Sequence, residues 1–227
     1  MTSIFERALG ADYARLHPEL QRRFGFSSED GRSCVGTGVM DQIWRGSAFT
    51  VPFLWLGTAR HILFPETGTR VPFMIENYAY RDGFGRETLT FVRTFEVRPR
   101  RRRRFDATMV YSPHRRRIVD FLGTHQHMAV DLDVMVDDQG GLHIHSDLQR
   151  FCAGSLRLRF PTALSGEADL HEWYDDEGGR FRINVTVSNR RFGRIFGYHG
   201  SFTVDYVDTG RAPIPAAAKP LRENPYL

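Results

Sequence analysis

Beyond residue 25 the chain alternates apolar and polar residues with a period of two. The segment GRFRINVTVSN (179–189) sets Phe181, Ile183, Val185 and Val187 on one face and Arg182, Asn184, Thr186 and Ser188 on the other, as a strand with one buried face requires. The same reading covers GRETLTFVRTFEV, FDATMVYS, RIVDFLGT, HMAVDLDVMV, LHIHSDLQRF, SLRLRFP, ADLHEWYD and GSFTVDYV. Loops of hairpin type (RDGFG, DDQGG, DDEGG) stand between many of them. With VPFLWLG and VPFMIENYAY added, about ten or eleven strands are expected, with no helical crossover long enough to join parallel neighbours. The sheet is therefore expected to be mostly antiparallel.

The opening residues follow a helical period instead. Ser3 and Glu6 make a capping box, and Ile4, Phe5, Ala8, Leu9, Tyr13 and Leu16 form an apolar stripe. Pro18 suits the first turn of a second short helix, PELQRRF, which Gly25 ends. A sheet of this many strands closes or splits into two layers, because an open one leaves vulnerable edges. The expected fold is mainly β: an antiparallel up-and-down barrel, similar to calycin or lipocalin barrels, with short N-terminal helices as a cap; a sandwich is the second choice. One barrel domain would span residues 1–210, and the Pro- and Ala-rich residues 211–227 would lie over the surface as an extended arm.

The 227 residues, 41% hydrophobic and 13% aromatic, suffice for one substantial core. The opening segment carries Glu6, Arg7, Asp12 and Arg15, unlike a signal peptide, and no run of about 18 apolar residues exists to span a membrane. A cytoplasmic location is expected. Cys34 and Cys152 lie far apart and outside any CxxC spacing, which points away from a disulfide framework or a thiolate zinc site. A net charge of +4 and the runs RPRRRRRF (98–105) and HRRR (114–117) raise the question of nucleic acid. Yet Lys219 is the only lysine among 31 basic residues, a general bias toward arginine. The two runs also fall at opposite ends of one strand, more than about 20 Å apart. They are expected to be a solvated barrel rim, with no nucleic-acid partner.

Ionisable residues among apolar neighbours say more, because burying a charge is costly unless something pairs with it. Strand parity places Arg93 with Leu89, Phe91, Phe95 and Val97, and Asp120 between Ile118 and Leu122. It places Glu172 with Leu170 and Tyr174, and Glu76 with Met74, Tyr78 and Tyr80. One reading is an internal salt-bridge network that fixes strand register. The other is a cavity whose apolar walls hold a ligand while Arg93 and one or two carboxylates orient its carbonyl, hydroxyl or carboxylate. A desolvated carboxylate there would have a raised pKa and serve as general acid or base. Arg93, Asp120 and Glu76 are the catalytic candidates.

The stretch GTHQHMAVDLDV (123–134) gives His125, His127, Asp131 and Asp133 one parity and Met128, Val130 and Leu132 the other. As one strand it holds His125 and Asp133 about 27 Å apart, too far for one metal. His125 and His127 would need a third ligand from another strand, and LHIH offers His143 and His145. Matching the apolar faces puts Asp133 near His145 and Asp131 near Asp147. A wetted outer face, a polar barrel lining and a metal site are the three readings. No HExxH, HxxE or cysteine spacing supports the last, so neither metal nor cofactor is expected. Nucleophile-elbow, phosphate-loop and dinucleotide motifs are missing too, which disfavours hydride or phosphoryl transfer. The glycines of GTGVMD (36–41) are expected to serve a turn or a close backbone approach.

The strings GTGVMDQIWRG, LFPETGTRVPFMIENYAYRDGFGRETLTFVRTF, RRFDATMVYS, IVDFLGTHQHMAVDLDV and FGYHGSFTVDYV closely resemble the bacterial domain-of-unknown-function family DUF4166, over roughly residues 10–210. They contain His125, His127, Asp131, Asp106, Arg93, Arg86, Glu87, Glu76 and Asn77, which resemblance and parity together make site candidates. The HIH of 143–145 departs from the family pattern. In that family the domain occurs alone, or joined to a saccharopine-dehydrogenase-like NAD-binding domain or to a membrane segment. The expected function is binding of a small hydrophobic or lipid-like molecule in the barrel, with His125, His127, Asp131, Asp106, Arg86, Asn77, Tyr78, Tyr80 and Glu172 as further ligand-binding candidates. The alternative is a cofactor-independent isomerase or cyclase of a polyketide- or terpenoid-like substrate. A third reading, a partner module of a separate NAD-dependent reductase, follows from the fusions that the resemblance implies.

Overall fold

Successive alternating segments pair antiparallel with one another, and the last of them returns to the first. The computed structural model describes residues 2–146, 150–153, 156–159 and 166–225. Two short helices, α1 (Ile4–Leu9) and α2 (Pro18–Phe24), precede β1 (Arg32–Arg45) and α3 (Val51–Thr58). Then come β2 (Gly68–Arg81), β3 (Glu87–Arg98), β4 (Arg101–Ser112), β5 (Arg117–Leu122), β6 (Met128–Val136) and β7 (Leu142–Ser146). The chain continues through β8 (Arg150–Ala153), β9 (Leu156–Arg159), β10 (Glu167–Asp175), β11 (Arg180–Asn189) and β12 (Gly193–Asp208). Strands β1 to β7 follow one another around a barrel, β10 takes its place beside β7, and β12 closes on β1 from Arg32↔Asp208 to Arg45↔Phe196. The closed ring has ten strands, two more than a lipocalin barrel. The β8–β9 hairpin is attached at the start of β6, outside the ring.

Two expectations about elements need correction. VPFLWLG is the helix α3, not a strand. A short, uniformly apolar run has no period to separate the two states, and Pro52 suits the first turn of a helix. Its place in the ring is taken by β1, built on the glycine-rich stretch. A Cβ on Gly38 would lie 2.1 Å from the Ser201 carbonyl oxygen, so glycine there serves the close approach of β12. LHIHSDLQRF, read as one strand, contains β7 and β8. Its Asp147 lies outside the described residues.

Alternate residues of the ten ring strands enter a single core that includes Met40, Phe73, Phe95, Met109, Ile183 and Phe202. α1 and α2 plug one end of the ring. The Ser3 hydroxyl caps α1 by accepting the Glu6 N–H at 3.1 Å. Phe5 packs against Phe24 and Phe91 at centroid distances of 4.7 and 6.4 Å. Burying side chains such as Phe5, Leu20 and Phe24 contributes roughly 1.5–3 kcal/mol each. α3 lies at the opposite end, where β1 finishes and β2 begins.

The C-terminal residues run along the outside. Ala218 and Ile214 pack on Tyr78 and Val92, and Lys219 sits 4.8 Å above the Tyr80 ring. The Leu221 N–H donates to the Thr124 carbonyl at 2.8 Å, and Asn224 is tied to Gln126 through two hydrogen bonds. Among the described residues no helix is long and apolar enough to cross a membrane.

Candidate functional site

The interior face of β3 carries Arg93 between Phe91 and Phe95, that of β5 carries Asp120 between Ile118 and Leu122, and that of β12 carries Tyr198 between Phe196 and Gly200. All three are buried and line one apolar chamber of about 90 Å³, together with Met109, Leu132 and Val187. Arg93 Nε and Nη1, Asp120 Oδ1 and Tyr198 Oη have no hydrogen-bond partner among the described residues. Leaving such groups unpaired in an apolar interior costs about 1–3 kcal/mol each. The Arg93 guanidinium instead lies 4.6 Å from the Phe105 ring centroid and 5.4 Å from that of Phe91. Burial pushes the Asp120 carboxyl up to about 7, although Arg93 and the Thr108 backbone N–H pull the other way. Burial likewise raises the Tyr198 hydroxyl to about 12.

The chamber continues into a cleft of about 450 Å³ beneath α3, sharing Ile62, Leu63 and Leu122 as walls. Phe53 and Leu56 of α3 form part of that cleft and are 59% and 73% exposed, whereas Leu54 anchors the helix from its buried side. Apolar side chains thus lead from the surface to the three polar groups.

His125 and His127 line the cleft, but not as members of a strand. Gly123 and Gln126 take positive φ values of 71° and 50°, so the chain bends there and β6 begins only at Met128. The two rings stack at 5.7 Å. Among the described residues no third metal-ligating group joins them. Arg60 and Arg222 each approach a ring nitrogen of His127 at 3.1 Å. A neutral imidazole has one acceptor nitrogen, so only one of these contacts is a hydrogen bond at a time.

The remaining candidates are scattered. Glu76, Tyr78 and Tyr80 do share a face, but it is the outer one, because Phe73, Ile75, Asn77 and Ala79 face the core. Glu76 accepts a hydrogen bond from the Tyr78 hydroxyl at 2.7 Å and does not reach the chamber. Arg86 pairs with Asp82 and donates to the Asn224 carbonyl, and Glu87 receives Ser28. Asp106 lies on the outer side of β4 beside Arg104 and His61. Asp131, on the outer side of β6, is held by Arg115 and Arg150. Asp133 does pair in register with His145, but the His145 Nδ1 bonds Asp169 at 2.6 Å.

Glu172 and Asn77 point inward at the plugged end, where sequence reasoning missed their partner. Arg23 of α2 enters the barrel, its Nε donating to Glu172 and its Nη1 to Asn77 at 2.7 Å and to the Cys34 sulfur at 3.0 Å. Leu20 and Phe24 share the buried side of α2 with it, so a charge on an apolar helix face was the available signal. Tyr198 was equally legible from its alternation with Phe196 and Phe202 on β12.

This geometry defines a class: a closed ten-stranded antiparallel barrel, plugged by helices at one end and opening at the other into an apolar cavity with a polar floor. Residues 16–202 match the domain-of-unknown-function family DUF4166, and the chain belongs to it. A relative from Bacillus subtilis (strain 168), the uncharacterized protein YndH, is 32% identical over 202 residues, which cover 89% of this chain and 97% of YndH. No solved structure matches the chain.

Proposed function

We propose that the barrel binds a small, mainly apolar molecule by an oxygen-bearing end, with that end held by Arg93, Asp120 and Tyr198. The observation that carries this reading is the convergence of four buried, unpartnered polar atoms on one apolar chamber. Below about pH 7 the Asp120 carboxyl is protonated, so all three side chains can donate. Their complement is an acceptor: a carboxylate or carbonyl oxygen. The chamber of about 90 Å³ is smaller than the cavity of about 150 Å³ that accommodates benzene in a protein core, so it takes the head of the ligand. The cleft under α3 takes the rest.

Native mass spectrometry of the purified protein, compared with the same sample denatured and extracted, tests this. A retained apolar acid, ester or ketone supports the reading. A clean chain mass, combined with no saturable uptake of a fluorescent fatty acid, would sink it.

A second reading is favoured by Asp120 alone. A carboxyl that titrates near neutrality is suited to exchange a proton with substrate, as an isomerase or cyclase of a polyketide- or terpenoid-like compound requires. Asp120→Asn separates the two readings, since a binder keeps its ligand and an enzyme loses turnover. Pairing with a separate NAD-dependent reductase rests on the family's domain fusions and on no feature of this barrel.

A further inference from the structure

We propose that Asp137, His143 and His171 form a binding site for a divalent transition-metal ion, with zinc the ion that their donor atoms fit best. The site lies on the outer face of the barrel at its plugged end and does not depend on what the chamber binds. Its donors come from three places: Asp137 opens the turn between β6 and β7, His143 is on β7, and His171 is on β10. The β7–β10 pairing brings them together, with His143 and His171 as register partners.

The turn fixes the carboxylate. Asp137 Oδ1 accepts the backbone N–H groups of Gln139 and Gly141 at 2.9 and 2.7 Å, which leaves Oδ2 directed at the histidines. His143 Nε2 lies 3.2 Å from Oδ2 and His171 Nε2 lies 3.0 Å from it, and all three donor atoms fall within 4.8 Å of one another. Tetrahedral zinc with bonds of about 2.0–2.1 Å sets its ligand atoms roughly 3.3 Å apart, so small side-chain shifts would complete the geometry. The two imidazoles stack at 3.9 Å and 12°, and Trp173 stacks on His171 at 4.6 Å, so one ring must tilt out of the stack for both in-plane Nε2 lone pairs to meet at one ion.

Gly141 keeps the space open. A Cβ there would lie 2.6 Å from Asp137 Oδ2 and 2.8 Å from His171 Nε2, in the place where these donors converge. Two imidazole nitrogens and one carboxylate oxygen suit zinc and its transition-metal neighbours, whereas calcium and magnesium prefer all-oxygen sites. The three side chains are 26–42% exposed, which leaves room for water to complete the coordination.

Without an ion the same groups make two hydrogen bonds to one carboxylate oxygen, and the experiment must tell these states apart. Zinc chloride is titrated into the full chain after chelator treatment, and cobalt(II) is added in parallel for its visible absorption. The expected result is saturable binding of one ion per chain, with tetrahedral cobalt bands and a rise in Tm. Asp137→Asn, His143→Gln and His171→Gln should each weaken binding by at least about tenfold, and His145→Gln should not. Gly141→Ala retains all three donors and should also weaken binding, which guards against loss through misfolding. No saturable binding by the wild-type chain, or binding unchanged in the three ligand variants, would overturn the proposal.

Discussion

Arg23 and Glu172 are 149 residues apart in sequence and meet as a buried ion pair, Nε 2.5 Å from Oε1, with the two side chains 0% and 3% exposed. Burial opposes the guanidinium charge, and the contacts with Glu172 and Cys34 together outweigh that penalty. The pair joins the N-terminal plug to the barrel wall. Removing one partner strands the other, so Glu172→Leu alone should cost about 3–5 kcal/mol. Replacing both, as Arg23→Met with Glu172→Leu, should recover most of that. Urea unfolding of the two single variants and the double variant measures the coupling, and additive losses would mean that the pair is not a unit.

Asp120 makes stability depend on pH in the unusual direction for a carboxyl. It ionises near 3.8 when unfolded and near 7 when folded, so the folded state binds the extra proton between those values. Its contribution is fully present below 3.8 and lost as pH rises through about 7. The loss is on the order of 4 kcal/mol. Asp120→Asn is therefore expected to exceed wild type in stability at about pH 8 and to have no such advantage at about pH 4. Urea midpoints at both pH values provide the check; parallel behaviour would show that Asp120 ionises normally.

The proposed ligand contacts predict a split between binding and stability. Arg93→Met keeps the volume, removes the charge and should weaken uptake of a fluorescent fatty acid by about 10- to 100-fold. Tyr198→Phe should weaken it by about two- to tenfold. Tyr198→Phe should not lower the urea midpoint, because it removes a buried hydroxyl that has no hydrogen-bond partner among the described residues. Arg93→Met should lower stability by no more than about 1 kcal/mol, because the lost contacts with Phe105 and Phe91 are offset by relief of a buried, incompletely hydrogen-bonded charge. Affinity should also fall above pH 7, where ionised Asp120 repels a carboxylate. Unchanged affinity in both variants would place the ligand elsewhere.

Phe53→Ser and Leu56→Ser test the route in. Both side chains line the cleft and face solvent, so each replacement should change stability by less than about 0.5 kcal/mol. Stopped-flow mixing with the fluorescent fatty acid should show slower uptake and weaker retention. Unaltered kinetics would point to entry at another place.

Much of this was legible in the residues because a barrel strand has only two faces. Period-two alternation gave the antiparallel sheet, and parity placed Arg93, Asp120 and Glu172 inside. Parity also misled at Glu76. Tyr78 and Tyr80 look like core on paper, but the C-terminal residues cover them from outside. α3 was invisible as a helix because its apolar residues point in every direction. His125 and His127 left the strand because Gly123 and Gln126 bend the chain, and the glutamine gives no warning of its positive φ. The grouping of Asp137 with His143 and His171 needed the β7–β10 register, which depends on how the β8–β9 excursion returns to the ring.

The closure of β12 on β1 dictates when folding can finish. β1 pairs with β2 soon after synthesis, but its other edge waits for a strand that starts at Gly193. Until the ribosome has released that last strand, the nascent sheet has an unpaired edge on each side, and an unpaired edge invites strands from other chains. The long sequence separation of this pairing also makes for slow folding. A chaperone that shields strand edges during translation would therefore raise the yield of this barrel more than one that acts on the released chain.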